Sequence, residues 1–290
     1  MENALLKRFL RKTDLKKTRL SAISAFLSDA KKDATSERCI PTSFFCKGRI
    51  VAKSDFAVCG IVEADAIFKK RNVRAEWKRK EGQSAKKGEI LCILKGQAQD
   101  VLACERTALN FLSLLSGIST KCSRASEKYG KWKIAATRKT LPDLAHSEKR
   151  AVALGGCLTH RLDLSDGIMV KDNHIAAIMK GKRVARTTAI EMAVRSFPRG
   201  SFVEVEVSSV SEALAAIRAG ADAILVDNTA PKEFAKIAKG ARKLNGKIII
   251  EASGRITLEN AGEYLKRGAD FVSTSELTMD VAPADLSLES

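Results

Sequence analysis

Between residues 134 and 275 the chain repeats one pattern six times: a short apolar run that ends in polar residues, followed by a segment of helical length. The runs are Ile134-Ala135-Ala136 ending in Thr137-Arg138-Lys139, Ile168-Met169-Val170 ending in Lys171-Asp172-Asn173-His174, and Phe202-Val203 leading through Glu204-Val205-Glu206-Val207. They continue with Ala223-Ile224-Leu225-Val226 before Asp227-Asn228, Ile248-Ile249-Ile250 before Glu251-Ala252-Ser253-Gly254, and Phe271-Val272 before Ser273-Thr274-Ser275. Runs this short and apolar suit buried strands, and the helical patterns at 211–219, 231–244 and 258–267 turn them into right-handed βαβ units of a parallel sheet. The pattern is compatible with an open doubly wound sheet and with a closed barrel. Both put chemistry at the C-terminal strand ends, which here are the polar residues just named.

The first third of the chain reads differently. Short β-like runs at 48–52 and 89–94, separated by turn signals at Gly82-Gln83 and Lys87-Gly88, predict an α+β domain with an antiparallel sheet. The apolar periodicity of Thr107 to Ser123 predicts a helix joining the two domains. Near the start, Lys7, Arg8, Arg11, Lys12, Lys16, Lys17 and Arg19 interleave with Leu5, Leu6, Phe9, Leu10, Leu15 and Leu20, which predicts one amphipathic helix with a basic, solvated face.

Lys and Arg number 51 against 34 Asp and Glu, a formal net charge of +17 that points to anionic partners. Aromatic residues make up 5% of the chain, too few for a base-stacking surface, so small polyanions fit better than nucleic acid. The N-terminus is charged with no following apolar run, and no apolar stretch approaches the length of a membrane span, so a cytoplasmic protein without a membrane partner is expected. Seven scattered cysteines, with no C-x-x-C pair, read as reduced and mostly buried thiols. G-x-G-x-x-G, Walker A and G-x-S-x-G patterns are all missing, which removes dinucleotide, P-loop and serine-hydrolase readings.

Three constellations remain at the strand ends. Arg138, Lys139, His160, Arg161 and Lys171 would form a cationic pocket for a ligand bearing carboxylates and phosphate; each alone is equally a solvated loop residue. Glu206 and Asp227 offer paired hard oxygens that suit Mg²⁺, or else structural ion pairs. Ser253-Gly254 and Ser273-Thr274-Ser275 are turns that could cradle a phosphate on backbone N–H groups. Of the three histidines, His146 falls in a helical segment and reads as structural.

Taken together, the segments resemble the quinolinate phosphoribosyltransferase family. The resemblance rests on Glu105-Arg106-Thr107-Ala108-Leu109-Asn110-Phe111-Leu112, Thr137-Arg138-Lys139-Thr140-Leu141-Pro142, His160-Arg161, Lys171-Asp172-Asn173-His174-Ile175, Glu204-Val205-Glu206-Val207, Asp227-Asn228 and Asp285-Leu286-Ser287-Leu288. It implies an α/β fold: an incomplete six-stranded TIM-like barrel at 111–276, preceded by an α+β sandwich-like domain at 1–110 that the tail 277–290 joins. It also implies transfer of phosphoribosyl from phosphoribosyl pyrophosphate to quinolinate, with decarboxylation to nicotinate mononucleotide. By resemblance, Arg106, Thr137, Arg138, His160, Arg161 and Lys171 bind quinolinate, with Arg106 reaching across a homodimer or higher even oligomer. Lys139, Glu206, Asp227, Ser253, Gly254, Arg255, Thr274, Ser275 and Glu276 attend phosphoribosyl pyrophosphate. Glu206 and Asp227 hold Mg²⁺, and Lys139, Lys171, Glu206 and Asp227 form the catalytic set.

The chain departs from the family pattern in its phosphate loops. Ser253-Gly254-Arg255 stands where the family has Ser-Gly-Gly, Ser275 replaces a Gly, and Glu276 replaces a small residue. Met279 stands where the family has a His, and Lys32-Asp33-Ala34-Thr35-Ser36 is a degenerate form of its Gly-Asp-x-Thr-Thr element. The alternative that these departures allow is a divergent, ModD-like paralogue acting on a different anion.

Overall fold

The computed structural model describes residues 6–30 and 32–289. These form two compact units. One comprises Leu10–Lys128, Lys139–Thr159 and the chain from Leu277 onward; the other comprises the described residues up to Phe9, Tyr129–Arg138 and His160–Glu276. The helix Ala98–Tyr129 runs through residue 110 without a break.

The first unit contains β1 (Phe45–Ala52), β2 (Phe56–Ala57), β3 (Arg74–Trp77), β4 (Ser84–Ala85) and β5 (Ile90–Gln97). β1 pairs antiparallel with β5, and β5 with β3. On the helix Ala98–Tyr129, Val101, Cys104, Ala108, Leu112, Leu115, Ile118 and Cys122 recur every three or four positions and are buried. This helix outruns the apolar stretch 107–123 at both ends because its buried stripe continues through small residues such as Ala98 and Ala125. By length and composition it is also apolar enough to cross a membrane, contrary to the expectation that no stretch would be. Within the unit that stripe is core. Gly60 shows how closely it is packed: a methyl group there would lie 2.9 Å from the Leu112 Cα.

Among the described residues the expected single basic helix at the start does not form; its first member, Leu5, lies outside them. Lys7–Phe9 is one turn of 3₁₀ helix, and a separate helix, Leu15–Asp29, begins at Asp14. Asp14 Oδ1 accepts from the Lys16 N–H at 2.8 Å, a side-chain cap that starts a new helix and so ends the earlier turn. His146 Nδ1 accepts from the Asp14 N–H at 3.1 Å, so His146 serves that cap. All seven cysteines are free, and burial pushes the thiols of Cys59 to about 11 and of Cys92 and Cys104 to about 12.

The second unit is the sixfold repeat: β6 (Ile134–Ala136), β7 (Ile168–Val170), β8 (Val203–Val207), β9 (Ala223–Asp227), β10 (Ile249–Ser253) and β11 (Phe271–Thr274). Every pairing is parallel, in the order β6-β11-β10-β9-β8-β7. The last strand of the repeat therefore returns to pair with the first, Val272 opposite Ile134 and Thr274 opposite Ala136. A doubly wound sheet reverses its winding at a switch point; this sheet winds in one direction and closes on its own start, which is barrel topology with no ladder between β6 and β7. Phe9 fills the interior, its ring 4.7 Å from Phe271, 5.1 Å from His160 and 5.6 Å from Phe202. Finally β12 (Leu286–Glu289) pairs antiparallel with β1 in the first unit, and Gly48 leaves room there for the Leu288 side chain.

Candidate active site

Within the barrel unit the polar strand ends form three neighbouring groups. The first is cationic. Arg138 follows β6, His160 and Arg161 precede β7, and Lys171 follows β7. Arg161 is 8% exposed; burial disfavours its charge, Glu204 offsets part of that cost, and Arg138 stands near enough to add to it. Arg138 and Lys171 are exposed. Two guanidiniums and an ammonium held this way form a site in need of anions.

Glu206 and Asp227 make the second group, at the ends of adjacent strands β8 and β9. Burial and then the neighbouring Asp227 raise the Glu206 carboxyl above the usual range, while Lys171 pulls the other way. Asp227 Oδ2 accepts from Asn228 Nδ2 at 2.5 Å. Two facing carboxylates that repel each other are a donor set suited to a hard divalent cation.

The third group is the pair of loops after β10 and β11. Gly254 has φ +84°, and a methyl group there would lie 2.5 Å from the Asn228 backbone nitrogen, so no other residue fits. The next residue, Arg255, also sits in the left-handed region, at φ +52°, and is exposed. Thr274 Oγ1 donates to the Ile256 carbonyl at 2.6 Å, and Glu276 Oε2 accepts from the Leu258 N–H at 2.7 Å. These two side chains brace the 254–258 loop. Ser253 Oγ and Ser273 Oγ are 3.0 Å apart.

Beneath these groups lies a cluster that the strand-end reading passed over. His160 Nε2 is 2.9 Å from Glu251 Oε2 and 3.5 Å from Glu204 Oε2, and all three residues are buried. Burial and the adjacent Glu251 raise Glu204 well above the usual carboxylate range. Burial opposes the Glu251 charge too, but His160 and Ser273 more than offset it, so the Glu251 carboxyl falls below that range. One proton shared by the two acids accounts for both directions. The signal in the sequence was the pair Glu204 and Glu206: two residues apart on one strand, they point to the same face, and the deeper of them must be buried.

Not every expected site residue lies in this unit. Lys139 and Arg106 belong to the other one, Arg106 on the helix Ala98–Tyr129 with its side chain 70% exposed. Lys139 is exposed, and its carbonyl accepts from Thr278 Oγ1 at 2.6 Å. Thr137, at the end of β6, is half-buried, as is Ser275 after β11.

Comparison with known proteins agrees with this architecture. Residues 33–116 match the N-terminal domain of quinolinate phosphoribosyl transferase and residues 118–289 match its C-terminal domain. A Methanocaldococcus jannaschii protein named "Probable nicotinate-nucleotide pyrophosphorylase [carboxylating]" is 38% identical over 265 residues, covering 89% of this chain and 91% of its own. The human nicotinate-nucleotide pyrophosphorylase [carboxylating] is 36% identical over 245 residues, 82% of this chain and 80% of its own. Among solved structures, NadC from Streptococcus pyogenes superposes with a TM-score of 0.84 at 31% identity, over 97% of this chain and 98% of its own. Nicotinate-nucleotide pyrophosphorylase from Francisella tularensis gives 0.83 at 28% identity with the same coverage. With both domains matched in order along almost the whole sequence, the chain belongs to the quinolinate phosphoribosyltransferase family.

Proposed function

We propose that this protein is a quinolinate phosphoribosyltransferase of de novo NAD biosynthesis, converting quinolinate and phosphoribosyl pyrophosphate into nicotinate mononucleotide, pyrophosphate and CO₂. The observation that carries the reading is the cationic group Arg138, Arg161 and Lys171 set beside the carboxylates Glu206 and Asp227 at the open end of one barrel. Arg138 and Arg161 present planar forks for the two carboxylates of quinolinate, with Thr137, His160 and Lys171 completing that half. Glu206 and Asp227 face the ribose, and the loops at Ser253, Gly254, Arg255, Thr274, Ser275 and Glu276 take the 5′-phosphate end.

The chemistry needs no protein nucleophile. The C–O bond from ribose C1 to pyrophosphate breaks as the pyridine nitrogen attacks C1, and the positive charge developing on the sugar is stabilised by Glu206 and Asp227. The product is a pyridinium, whose nitrogen draws in the electron pair left when the adjacent carboxylate departs as CO₂; a proton then replaces it on that ring carbon. Lys171 offsets the charge of the dicarboxylate. Mg²⁺ bound by Glu206 and Asp227 would supply further charge neutralisation for the pyrophosphate.

The purified protein given quinolinate, phosphoribosyl pyrophosphate and Mg²⁺ should release CO₂ and nicotinate mononucleotide, and chelation should abolish turnover. Clean, metal-loaded protein that yields neither product refutes the reading, and turnover of nicotinate in place of quinolinate redirects it to another acid. The exposure of Arg106 supports a dimer in which this side chain completes the partner's acid site. Mixed dimers of Arg106→Ala and Arg138→Ala protein should then regain activity that neither variant has alone; no recovery would show that Arg106 does not act in the partner's site. A cytoplasmic location suits a biosynthetic enzyme whose substrates are both soluble anions.

A further inference from the structure

His160 occupies a backbone conformation that a side chain disfavours, at φ +54°. Three hydrogen bonds hold it there. Its N–H donates to the Phe9 carbonyl at 2.8 Å, its Nδ1 accepts from the Arg161 N–H at 2.8 Å, and its Nε2 lies 2.9 Å from Glu251 Oε2. These contacts determine the tautomer. A ring nitrogen that accepts from a backbone N–H carries no proton, so the imidazole proton is on Nε2 and is donated to Glu251.

Glu251 lies on β10 and His160 in the segment between the helix Ala145–Leu154 and β7, so this hydrogen bond ties that segment to the sheet. The remaining groups around it are Glu204 from β8, Ser273 from β11, and the charges of Arg161 and Lys171, which act on Glu204. Three ligand atoms, one each from His160, Glu204 and Glu251, lie within 4.8 Å of one another and could be read as a metal site. The Nε2–Oε2 separation of 2.9 Å is a hydrogen-bond distance, shorter than the ~3.3 Å between ligands bonded tetrahedrally to zinc at ~2.0 Å, and bound metal is an outcome that the test below must exclude.

We propose that Glu251 is a positioning residue for acid binding: its carboxylate locks His160 in the Nε2–H tautomer and the left-handed turn, and the His160 ring in turn fixes Arg161. The link to Arg161 is direct, because the ring nitrogen freed of its proton accepts the Arg161 backbone N–H. Arg161 supplies one of the two guanidinium forks, so an error in its backbone direction reaches the substrate carboxylate. The inference rests on the assignment of Arg161 to the acid half of the site.

The test uses full-length Glu251→Gln, Glu251→Asp and Glu251→Leu with two readouts. In ¹⁵N-histidine spectra of the wild type, the His160 signals, identified by their loss in His160→Asn, should show an unprotonated Nδ1 and a protonated Nε2. Glu251→Gln keeps an acceptor oxygen in place and should keep both this signature and the quinolinate KM to within about threefold. Glu251→Leu should lose the signature and raise the quinolinate KM about tenfold or more, with little change in the KM for phosphoribosyl pyrophosphate. Should Glu251→Leu not fold, Glu251→Asp, which keeps the charge but falls short of Nε2, should give the same split. An unchanged quinolinate KM in a folded Leu or Asp variant overturns the proposal, as does a wild-type ring protonated on Nδ1 or stoichiometric zinc in the purified protein. Wild-type protein that turns over no quinolinate but shows the expected tautomer, lost in Glu251→Leu, refutes the catalytic reading while preserving the His160 lock. Wild-type protein with neither refutes both.

Discussion

His160 and Arg255 occupy the same unfavourable region of backbone space, at φ +54° and +52°, in the two halves of the proposed site. Their surroundings differ sharply. His160 is 5% exposed and is tied by its backbone and by both ring nitrogens. Arg255 is exposed, and its carbonyl accepts from Asn260 Nδ2 at 3.4 Å. A strained residue persists where its neighbours over-determine it, and His160 meets that condition. At Arg255 the turn is instead set by its neighbours: Gly254, which alone fits against Asn228, and the Thr274 and Glu276 bonds to the loop beyond. In the proposed acid half, His160 is therefore held down to the core, whereas in the proposed phosphate half the backbone is fixed and the Arg255 side chain is exposed.

The largest effect should come from the acid half. Arg138→Ala removes one guanidinium fork and leaves a substrate carboxylate without its charged partner, which should weaken quinolinate binding about 100-fold or more. Calorimetry with quinolinate alone measures it, and unchanged affinity would move the acid pocket away from this group. Arg138 is exposed, so thermal stability should hardly change and the loss can be read as recognition.

The second effect falls on the phosphate loop. Gly254→Ala sets a methyl group 2.5 Å from the Asn228 nitrogen in a backbone conformation with φ +84°. The loop must shift, which should cost about 1–3 kcal/mol of stability and raise the KM for phosphoribosyl pyrophosphate more than that for quinolinate. Equal rises in both constants would show that the two halves are not mechanically separate.

The sequence carried the strands and their polar ends because a buried parallel strand needs an uninterrupted apolar run, and all six runs became strands of one sheet. Closure was not legible: it depends on β11 pairing with β6, a contact between segments about 140 residues apart that no local pattern encodes. The start of the chain departs from its local pattern for a related reason. Leu6 and Phe9 have helical spacing with Leu10, yet Phe9 packs on His160 and Phe271, while Asp14 caps a new helix five residues later. Glu251 was hidden because an acid at the end of an apolar run normally marks the strand's emergence into solvent. Its burial at 1% exposure becomes intelligible only once His160 is seen opposite it.

The smallest effect is the sharpest test of the contrast between the two left-handed residues. Glycine adopts this conformation freely, so substituting it relieves a strain of about 1–2 kcal/mol but adds roughly 0.5–1 kcal/mol of unfolded-state entropy. For Arg255→Gly those terms nearly cancel, so the melting temperature should stay level or rise slightly. For His160→Gly the same relief is outweighed by the loss of two ring hydrogen bonds and of the packing against Phe9, and the melting temperature should fall clearly. Function should separate them again. With its guanidinium removed, Arg255→Gly should raise the KM for phosphoribosyl pyrophosphate about tenfold and leave quinolinate affinity intact, because a charged hydrogen bond to phosphate is lost while the loop keeps its shape. A lower KM for phosphoribosyl pyrophosphate in this variant would mean that Arg255 obstructs the phosphate. The difference between the two halves would then be one between a working site and an impaired one.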